Sequence, residues 1–355
     1  MNKNKNTKKF RYDRLVVLLA LLAITFFIIY FIIKLIIAGF NAIFPDKREI
    51  PEDVRYEEDY TLLVPTVQTD TDSDNSNNEI TPLIYSDYSQ QLEGAVSSKY
   101  CLLYCVEDRN VIARKASKER FYPASMTKIM TLIVAVENIT DLSETVEMTY
   151  EVINPLYLQG ATITGFKSGD KVTIEDLLYG IVLPSGADAT VTIAQYVSGS
   201  EEEFVKLMNK KAEELGLEDT HFTNTSGLHD TNHYTTAYDM GIILEHAISN
   251  ETCRRILSTT KYTTKSTTTD ESGNQKNIEF YSTMLKNISS NSIEGVTICG
   301  GKTGYTSESM YCLASFAQKN NRTYIAITAG APVGYERGVW TNIINDVKKL
   351  YSEYI

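Results

Sequence analysis

YPASMTKIMT, at residues 122–131, predicts the start of a buried helix and contains the first side chains suited to chemistry. Pro123 suits the first turn of a helix, where its missing N–H leaves no hydrogen bond unmade. Residues 126–136 are almost all apolar, so this helix is expected to be buried on most sides. Ser125 and Lys128 are three residues apart and would therefore share one helix face.

The pair of Ser125 and Lys128 suits nucleophilic catalysis but is weak evidence alone. A serine oxygen at a helix start lies near the positive end of the helix dipole, which favours developing negative charge. Lys128 acts as a base only when neutral, so its pKa must fall several units from about 10.4 through burial and a nearby cation. Ser-x-x-Lys is expected about once or twice by chance in such a chain, where it usually marks a helix cap and a surface lysine.

Two further motifs strengthen the prediction. The sequence KTG, residues 302–304, follows a predicted strand and the pair Gly300-Gly301, and glycines there allow a substrate backbone to lie along a strand edge. The sequence SGA, residues 185–187, lies between two predicted helices. In order and spacing, the three elements match the Ser-x-x-Lys, Ser-x-Asn and Lys-Thr-Gly constellation of penicillin-binding proteins and serine β-lactamases.

Local patterns predict strands at both ends of the folded region and helices in its middle. The predicted strands cover 100–106 and a segment from 111, then 295–299, 310–317 and 323–329, with a hairpin between 259 and 281. The predicted helices cover 174–182, 187–197, 201–215, 238–248 and 338–354. This order indicates a sheet whose strands are distant in sequence.

From about residue 95 to its end, the chain resembles the serine-type D-alanyl-D-alanine carboxypeptidases, which are the low-molecular-mass penicillin-binding proteins. The resemblance implies an α+β fold of the β-lactamase and DD-peptidase kind, in which an antiparallel sheet is flanked by helices and joined to a helical subdomain. The segments that carry it are YPASMTKIMT (122–131), SGADA (185–189), FVKLMNKKA (204–212), THFTN (220–224), YTTAYD (234–239) and GKTGYT (301–306).

The resemblance also implies roles for the reacting groups. Ser125 would attack the carbonyl of the penultimate D-alanine of a peptidoglycan stem peptide, and Lys128 would take its proton. Ser185 would relay a proton to the leaving D-alanine, and Lys302 would supply positive charge nearby. An acyl-enzyme would form, and water would release the shortened peptide without any cofactor or metal.

Substrate binding is assigned by the same resemblance. The N–H groups of Ser125 and Tyr305 would form the oxyanion hole, and the terminal carboxylate would lie against Thr303. A guanidinium suits recognition of a free carboxylate. The implied substrate-binding residues are Lys302, Thr303, Gly304, Tyr305 and Arg337.

Ala187 departs from the family pattern, which has asparagine at this position. Loss of one hydrogen bond in a closed site costs about 1–3 kcal/mol. An alternative to the carboxypeptidase is therefore an impaired homologue that binds wall peptides or penicillin without turnover. A β-lactamase is less favoured, because Glu144, Glu147 and Glu151 do not occupy the pattern in which such enzymes hold their hydrolytic water.

The first 90 residues predict a membrane tether. Residues 15–38 form a transmembrane anchor, since 15–33 is an uninterrupted run of 19 mostly apolar residues, longer than the apolar region of a cleaved signal peptide. Basic residues dominate before this span and acidic residues after it, which places 1–14 in the cytoplasm. The acidic, polar segment 39–90 is expected to be a disordered stalk, in which the short apolar pieces 60–64 and 80–85 could add an edge strand or pack locally. Residues 91–355 are expected to form one extracytoplasmic catalytic domain at a bacterial cell surface.

Composition excludes several other classes. A net charge of −11 disfavours nucleic acid as a partner. The resemblance implies stem peptides as substrates and β-lactam antibiotics as inhibitors, and the apolar span implies contact with the membrane. Five cysteines are too few for a disulfide scaffold and are expected to be free thiols in the core. His229 and His233 have a spacing that metal ligands use, but the residues around them predict a loop, so a zinc peptidase is disfavoured.

Overall fold

A computed structural model describes residues 81–288, 290–332 and 341–355. The predicted membrane anchor, most of the stalk and Arg337 lie outside these residues. Within the described ranges, no helix combines the length and hydrophobicity needed to cross a bilayer.

A seven-stranded sheet with strand order β1-β3-β2-β11-β10-β9-β8 organises the domain, and two small hairpins, β4–β5 and β6–β7, lie apart from it. The strands are β1 (Ile84–Gln91), β2 (Tyr100–Cys105), β3 (Asn110–Lys115), β4 (Thr145–Glu147), β5 (Lys171–Thr173), β6 (Lys261–Thr269), β7 (Gln275–Tyr281), β8 (Ser292–Ile293), β9 (Val296–Thr306), β10 (Met310–Lys319) and β11 (Arg322–Ala331).

Most helices occur between β3 and β6, as the sequence predicts. They are α1 (Lys128–Asn138), α2 (Tyr150–Leu158), α3 (Ile174–Val182), α4 (Ala187–Ser198), α5 (Glu201–Glu214), α6 (Ala237–Ser249), α7 (Glu251–Leu257) and α8 (Thr341–Glu353). Helix α1 packs against α3, α4, α5 and α6. Its buried residues run without a break from Lys128 to Ala135, so the apolar stretch that follows YPASMTK forms the centre of the helical layer.

Strand alternation divides the core into two layers. On β10, Cys312, Ala314 and Phe316 join the cluster beneath α1, whereas Leu313 and Ala317 join the cluster on the opposite face with α8. Successive strand residues point to opposite faces, so one strand contributes to both clusters. The α+β class and the flanking helices are thus confirmed, and so are the free cysteines, four of which are buried.

Two predictions about the sheet need correction. The sheet is mixed, because β1 pairs in parallel with β3, and this strand occupies the end of the predicted stalk. Its side chains are mostly exposed, and it is held mainly through its backbone, which composition does not reveal. Strand β9 does not end at Cys299 but continues through Lys302 to Thr306. The glycines that suggest a break instead permit close packing, since a Cβ at Gly301 would lie 2.1 Å from the carbonyl oxygen of Ala314.

Candidate active site

Ser125 lies in a 3₁₀ turn, Ala124–Thr127, that leads directly into α1. Two other segments contact this turn so closely that only glycine fits. A Cβ at Gly227 would lie 1.9 Å from the carbonyl oxygen of Ala124, and one at Gly304 would lie 3.0 Å from the backbone nitrogen of Ser125. The loop after α5 and strand β9 therefore converge on Ser125, with the backbone of β9 beside its amide.

Lys128 is 3 % exposed, and its amine touches the nucleophile. Its Nζ lies 3.1 Å from Oγ of Ser125 and donates to the carbonyl oxygen of Ser226 at 2.7 Å. Burial lowers the pKa of Lys128 to about 7, although the negative charges of Asp188 and Glu201 oppose this shift. Near neutral pH a substantial fraction of Lys128 is thus uncharged and able to accept a proton.

Lys302 forms a second buried pair with a serine. Its Nζ donates to Oγ of Ser185 at 3.0 Å and to the carbonyl oxygen of Thr303 at 2.8 Å. Burial, and then the positive charge of Lys128, hold the pKa of Lys302 well below its usual range. Ser185 has a left-handed backbone with φ of 68°, and this conformation, rare for a non-glycine residue, is typical of functional sites.

These groups meet in one cleft of about 100 Å³, whose lining includes Ser125, Lys128, Ser185, Ala187 and Tyr305. Tyr305 is 45 % exposed at the rim and stacks on Tyr311 with ring centroids 4.6 Å apart. Thr303 is held by a 2.6 Å hydrogen bond between its hydroxyl and that of Thr283. The structure thus brings together all the predicted site residues except Arg337, which is outside the described residues.

Ala187 contributes a methyl group to the cleft where an amide was expected from the resemblance, and it is 1 % exposed. Its segment is nevertheless held in place. The Ala187 N–H donates to the carbonyl oxygen of Thr162 at 2.8 Å, and the Asp188 carboxylate accepts from the Thr164 hydroxyl at 2.6 Å. The loop at 160–164 is thereby tied to the start of α4, independently of the side chain at 187.

His233 is a site residue that sequence reasoning missed. It is 2 % exposed, and Nδ1 accepts from the Thr223 N–H at 3.1 Å while Nε2 lies 2.7 Å from the hydroxyl of Thr127. Burial lowers the pKa of His233 to about 4, so the ring is neutral at pH 7, with its proton on Nε2. In the sequence, His233 is only a histidine in a predicted polar loop. Nothing there indicates that this loop folds against the nucleophile turn.

The loop anchored by His233 is the one that holds Lys128. Oδ1 of Asn224 accepts from the Gly227 N–H at 2.7 Å, and the Thr131 hydroxyl donates to the carbonyl oxygen of Thr225 at 2.7 Å. These contacts fix the Ser226 carbonyl that accepts from Lys128. No cluster of three or more candidate metal ligands occurs among the described residues, and both His233 nitrogens are already engaged by protein groups.

The arrangement suits acyl transfer. It provides a nucleophile, a base with a lowered pKa, a second buried amine with a hydroxyl beside it, and backbone N–H groups where β9 meets the nucleophile turn.

Comparison with known proteins agrees with this chemistry. The sequence profile of the D-alanyl-D-alanine carboxypeptidase family matches residues 88–333. The D-alanyl-D-alanine carboxypeptidase DacF of Bacillus subtilis is 35 % identical over 269 residues, which are 74 % of this chain and 64 % of DacF. DacC of Escherichia coli is 28 % identical over 247 residues, which are 67 % of this chain and 57 % of DacC. The chain thus spans less than two thirds of the length of these two relatives.

Solved structures of a DD-transpeptidase and of a penicillin-binding protein also superpose on this chain. The Streptomyces K15 DD-transpeptidase superposes with a TM-score of 0.64 and 26 % identity, covering 72 % of this chain and 96 % of that one. Penicillin-binding protein 5 of Haemophilus influenzae superposes with a TM-score of 0.61 and 26 % identity, covering 72 % of this chain and 70 % of that one.

Replacement of His233 by alanine is expected to slow acylation of Ser125 by an activated ester about tenfold. The buried Thr127 hydroxyl would lose a partner worth about 1–2 kcal/mol, and the Ser226 carbonyl would no longer be held against Lys128. His233→Gln supplies an N–H donor in a similar position and should stay within about threefold of the parent. The measurement is the acylation rate against pH, with the free energy of unfolding recorded in parallel.

An alanine variant that stays folded and acylates at the parental rate, with an unchanged pH profile, would show that His233 does not position Lys128.

Proposed function

The chain belongs to the D-alanyl-D-alanine carboxypeptidase family, and we propose that it removes the terminal D-alanine from peptidoglycan stem pentapeptides through an acyl-enzyme. The observation that carries this proposal is the pair of buried lysines in one cleft, with the Lys128 amine 3.1 Å from the Ser125 hydroxyl and the Lys302 amine 3.0 Å from the Ser185 hydroxyl. One pair supplies a nucleophile with its base, and the other a hydroxyl beside a second buried amine.

Acylation begins when Oγ of Ser125 attacks the carbonyl carbon of the penultimate D-alanine. Neutral Lys128 takes the proton of the Ser125 hydroxyl as Oγ forms its bond to the carbonyl carbon. The oxygen of the tetrahedral intermediate accepts from the N–H groups of Ser125 and Tyr305. The C–N bond then breaks, and the proton held by Lys128 passes through the Ser185 hydroxyl to the leaving amine, which leaves Lys128 neutral.

Deacylation reverses these roles with water as the nucleophile. Lys128, neutral again, takes a proton from water as the new C–O bond forms, and Oγ of Ser125 leaves with a proton. The products are the tetrapeptide and free serine enzyme. A β-lactam carries a strained amide and a carboxylate in a similar arrangement, so we propose that β-lactam antibiotics acylate Ser125 and act as inhibitors.

Recognition of the free carboxylate selects the end of the peptide. The hydroxyl of Thr303 and the amine of Lys302 come from neighbouring residues of β9, and we propose that the terminal carboxylate lies against them. We propose that Arg337 adds a guanidinium to this subsite, since its planar donors match a carboxylate.

The proposed location is the outer face of a bacterial membrane. Residues 15–33 are mostly apolar and follow six basic residues, and the segment after them is acidic. These features support an uncleaved single span with the N-terminus in the cytoplasm and the catalytic domain outside, where stem peptides occur.

A second candidate function follows from Ala187, which gives the cleft no amide at a position where the family pattern has one. Under this candidate the protein binds wall peptides or penicillin and does not turn them over.

Fluorescent penicillin is expected to label the full-length protein in detergent, and mass spectrometry should place the adduct on Ser125. A synthetic pentapeptide ending in D-Ala-D-Ala should lose one D-alanine per molecule, and product analysis separates hydrolysis from transfer to an amine. Ser125→Ala removes the nucleophile and should abolish both reactions, whereas Ser143→Ala, on an exposed turn, should alter neither. Absence of both label and D-alanine release would refute the proposed function.

Acylation is expected to accelerate with pH, because only neutral Lys128 accepts the serine proton. The folded pKa is about 7, so kcat/KM should rise about tenfold per unit below pH 7 and level off above it. Lys128→Arg keeps a charge that does not dissociate in this range and should show no such rise. A flat profile for the parent between pH 5 and pH 9 would mean that another group is the base.

Ala187→Asn is expected to increase the rate of D-alanine release about tenfold, because the amide adds a hydrogen bond worth about 1–3 kcal/mol in a closed cleft. Ala187→Leu is the matched control, similar in size but without the amide, and should give no increase. The measurement is single-turnover release from the pentapeptide. Release by the asparagine variant alone, with binding but no turnover by the parent, would favour the second candidate function.

A further inference from the structure

A larger groove of about 480 Å³ adjoins the catalytic cleft. Its walls include Lys99, Tyr122, Asn232, Glu308, Ser309 and Gly330. Tyr122 is three residues before the nucleophile Ser125 and packs edge-on against His229, at a centroid distance of 4.6 Å. Ser309 accepts from the Thr306 N–H at 2.9 Å, and Thr306 itself lines the catalytic cleft. The groove therefore begins where the cleft ends, at the turn between β9 and β10.

The proposed reaction sets the direction in which a stem peptide crosses this region. Its terminal carboxylate lies at Thr303 and its scissile carbonyl at the N–H of Tyr305, so the chain before the scissile bond continues past Thr306 toward the turn. The edge of β9 is open there to a peptide strand. Among the described residues, β8 pairs with β9 only at Val296 and Thr297, well before the Lys-Thr-Gly motif.

The side chain of the third stem-peptide residue can extend beyond the catalytic cleft. Its Cα is about 3.8 Å from that of the penultimate D-alanine, and a long diamino acid side chain extends a further 6–7 Å or so. The end of that side chain would therefore lie about 10 Å from the scissile carbonyl. Tyr122, three residues before Ser125, and Ser309, hydrogen-bonded to Thr306, connect the groove to the segments that would hold that carbonyl.

The lining of the groove includes two opposite charges, those of Glu308 and Lys99. Glu308 and Lys99 are both exposed, and neither makes an ion pair with another described residue. Arg120 also lines the groove, but its guanidinium is already bound to Asp219 and lies over the Tyr234 ring. A ligand end group that carries an ammonium and a carboxylate would pair with both charges, whereas an amine alone would leave Lys99 without a partner.

We propose that this groove binds the side chain of the third stem-peptide residue, and that this residue is a diaminodicarboxylic acid whose distal ammonium faces Glu308 and whose distal carboxylate faces Lys99. The proposal rests on the proposed function, because the path of the peptide is taken from it. It adds a substrate class to a site whose catalytic groups do not specify the third residue.

Four pentapeptides that differ only at the third residue test the proposal. Their side chains carry both distal groups (diaminopimelate), the amine alone (lysine), the carboxylate alone (aminopimelate) or neither (norleucine). With the full-length protein, loss of either group should lower kcat/KM for D-alanine release about fivefold, as for an exposed ion pair worth up to 1 kcal/mol or so. Glu308→Gln should abolish discrimination for the amine only, and Lys99→Met discrimination for the carboxylate only.

Lys118→Met and Glu218→Gln, which change exposed charges outside this groove, are matched controls and should retain both preferences. Equal kcat/KM for all four peptides would overturn the groove assignment and leave the proposed function intact. Discrimination that survives both Glu308→Gln and Lys99→Met would also overturn it. Failure of every peptide to release D-alanine, together with no acylation of Ser125, would overturn the proposed function and the groove assignment with it.

Discussion

The burial of two lysine amines in one cleft is the constraint on which the rest of the site depends. An ammonium loses much of its hydration when it is buried, and the cost is reduced only if the group becomes neutral or finds acceptors. Lys128 and Lys302 each have one serine hydroxyl and one backbone carbonyl within hydrogen-bonding distance. Burial thus lowers the pKa values of both lysines, which the proposed role of Lys128 as a base requires. The neighbouring acceptors keep each amine oriented toward its serine.

This constraint explains the position of the main structural elements. Helix α1 begins at Lys128 and is buried along most of its length, which keeps water from the base. Strand β9 brings Lys302 to the cleft from the opposite direction, and the close approaches at Gly227 and Gly304 allow the loop, the strand and the nucleophile turn to meet without side chains between them. Contacts remote from the chemistry, such as Thr127 with His233, hold the same loop in place.

The fold was predictable where local pattern and burial agree. Helices α3, α4, α5 and α6 lie close to their predicted ranges, because each repeats apolar residues with helical spacing over several turns. For β1 the sequence left open whether the apolar piece 80–85 adds an edge strand. Its parallel pairing with β3 was not predicted, since most of its side chains face solvent and the pairing is made by backbone groups. The length of β9 was underestimated for a related reason, because a glycine pair that permits close packing has the same local signature as a turn.

The sequence by itself determined the family and predicted the groups proposed to carry the chemistry. Ser125 with Lys128, the motif at 185–187 and the motif at 302–304 are each short, and their order along the chain distinguishes them from chance matches. Only the tertiary structure decided which remote groups serve these motifs: the Ser226 carbonyl at Lys128, the His233 ring behind Thr127, and the charged groove beside the cleft. The physical reason is that spacing along the chain constrains neighbours on one helix or strand, whereas a contact between segments about a hundred residues apart depends on how the elements pack.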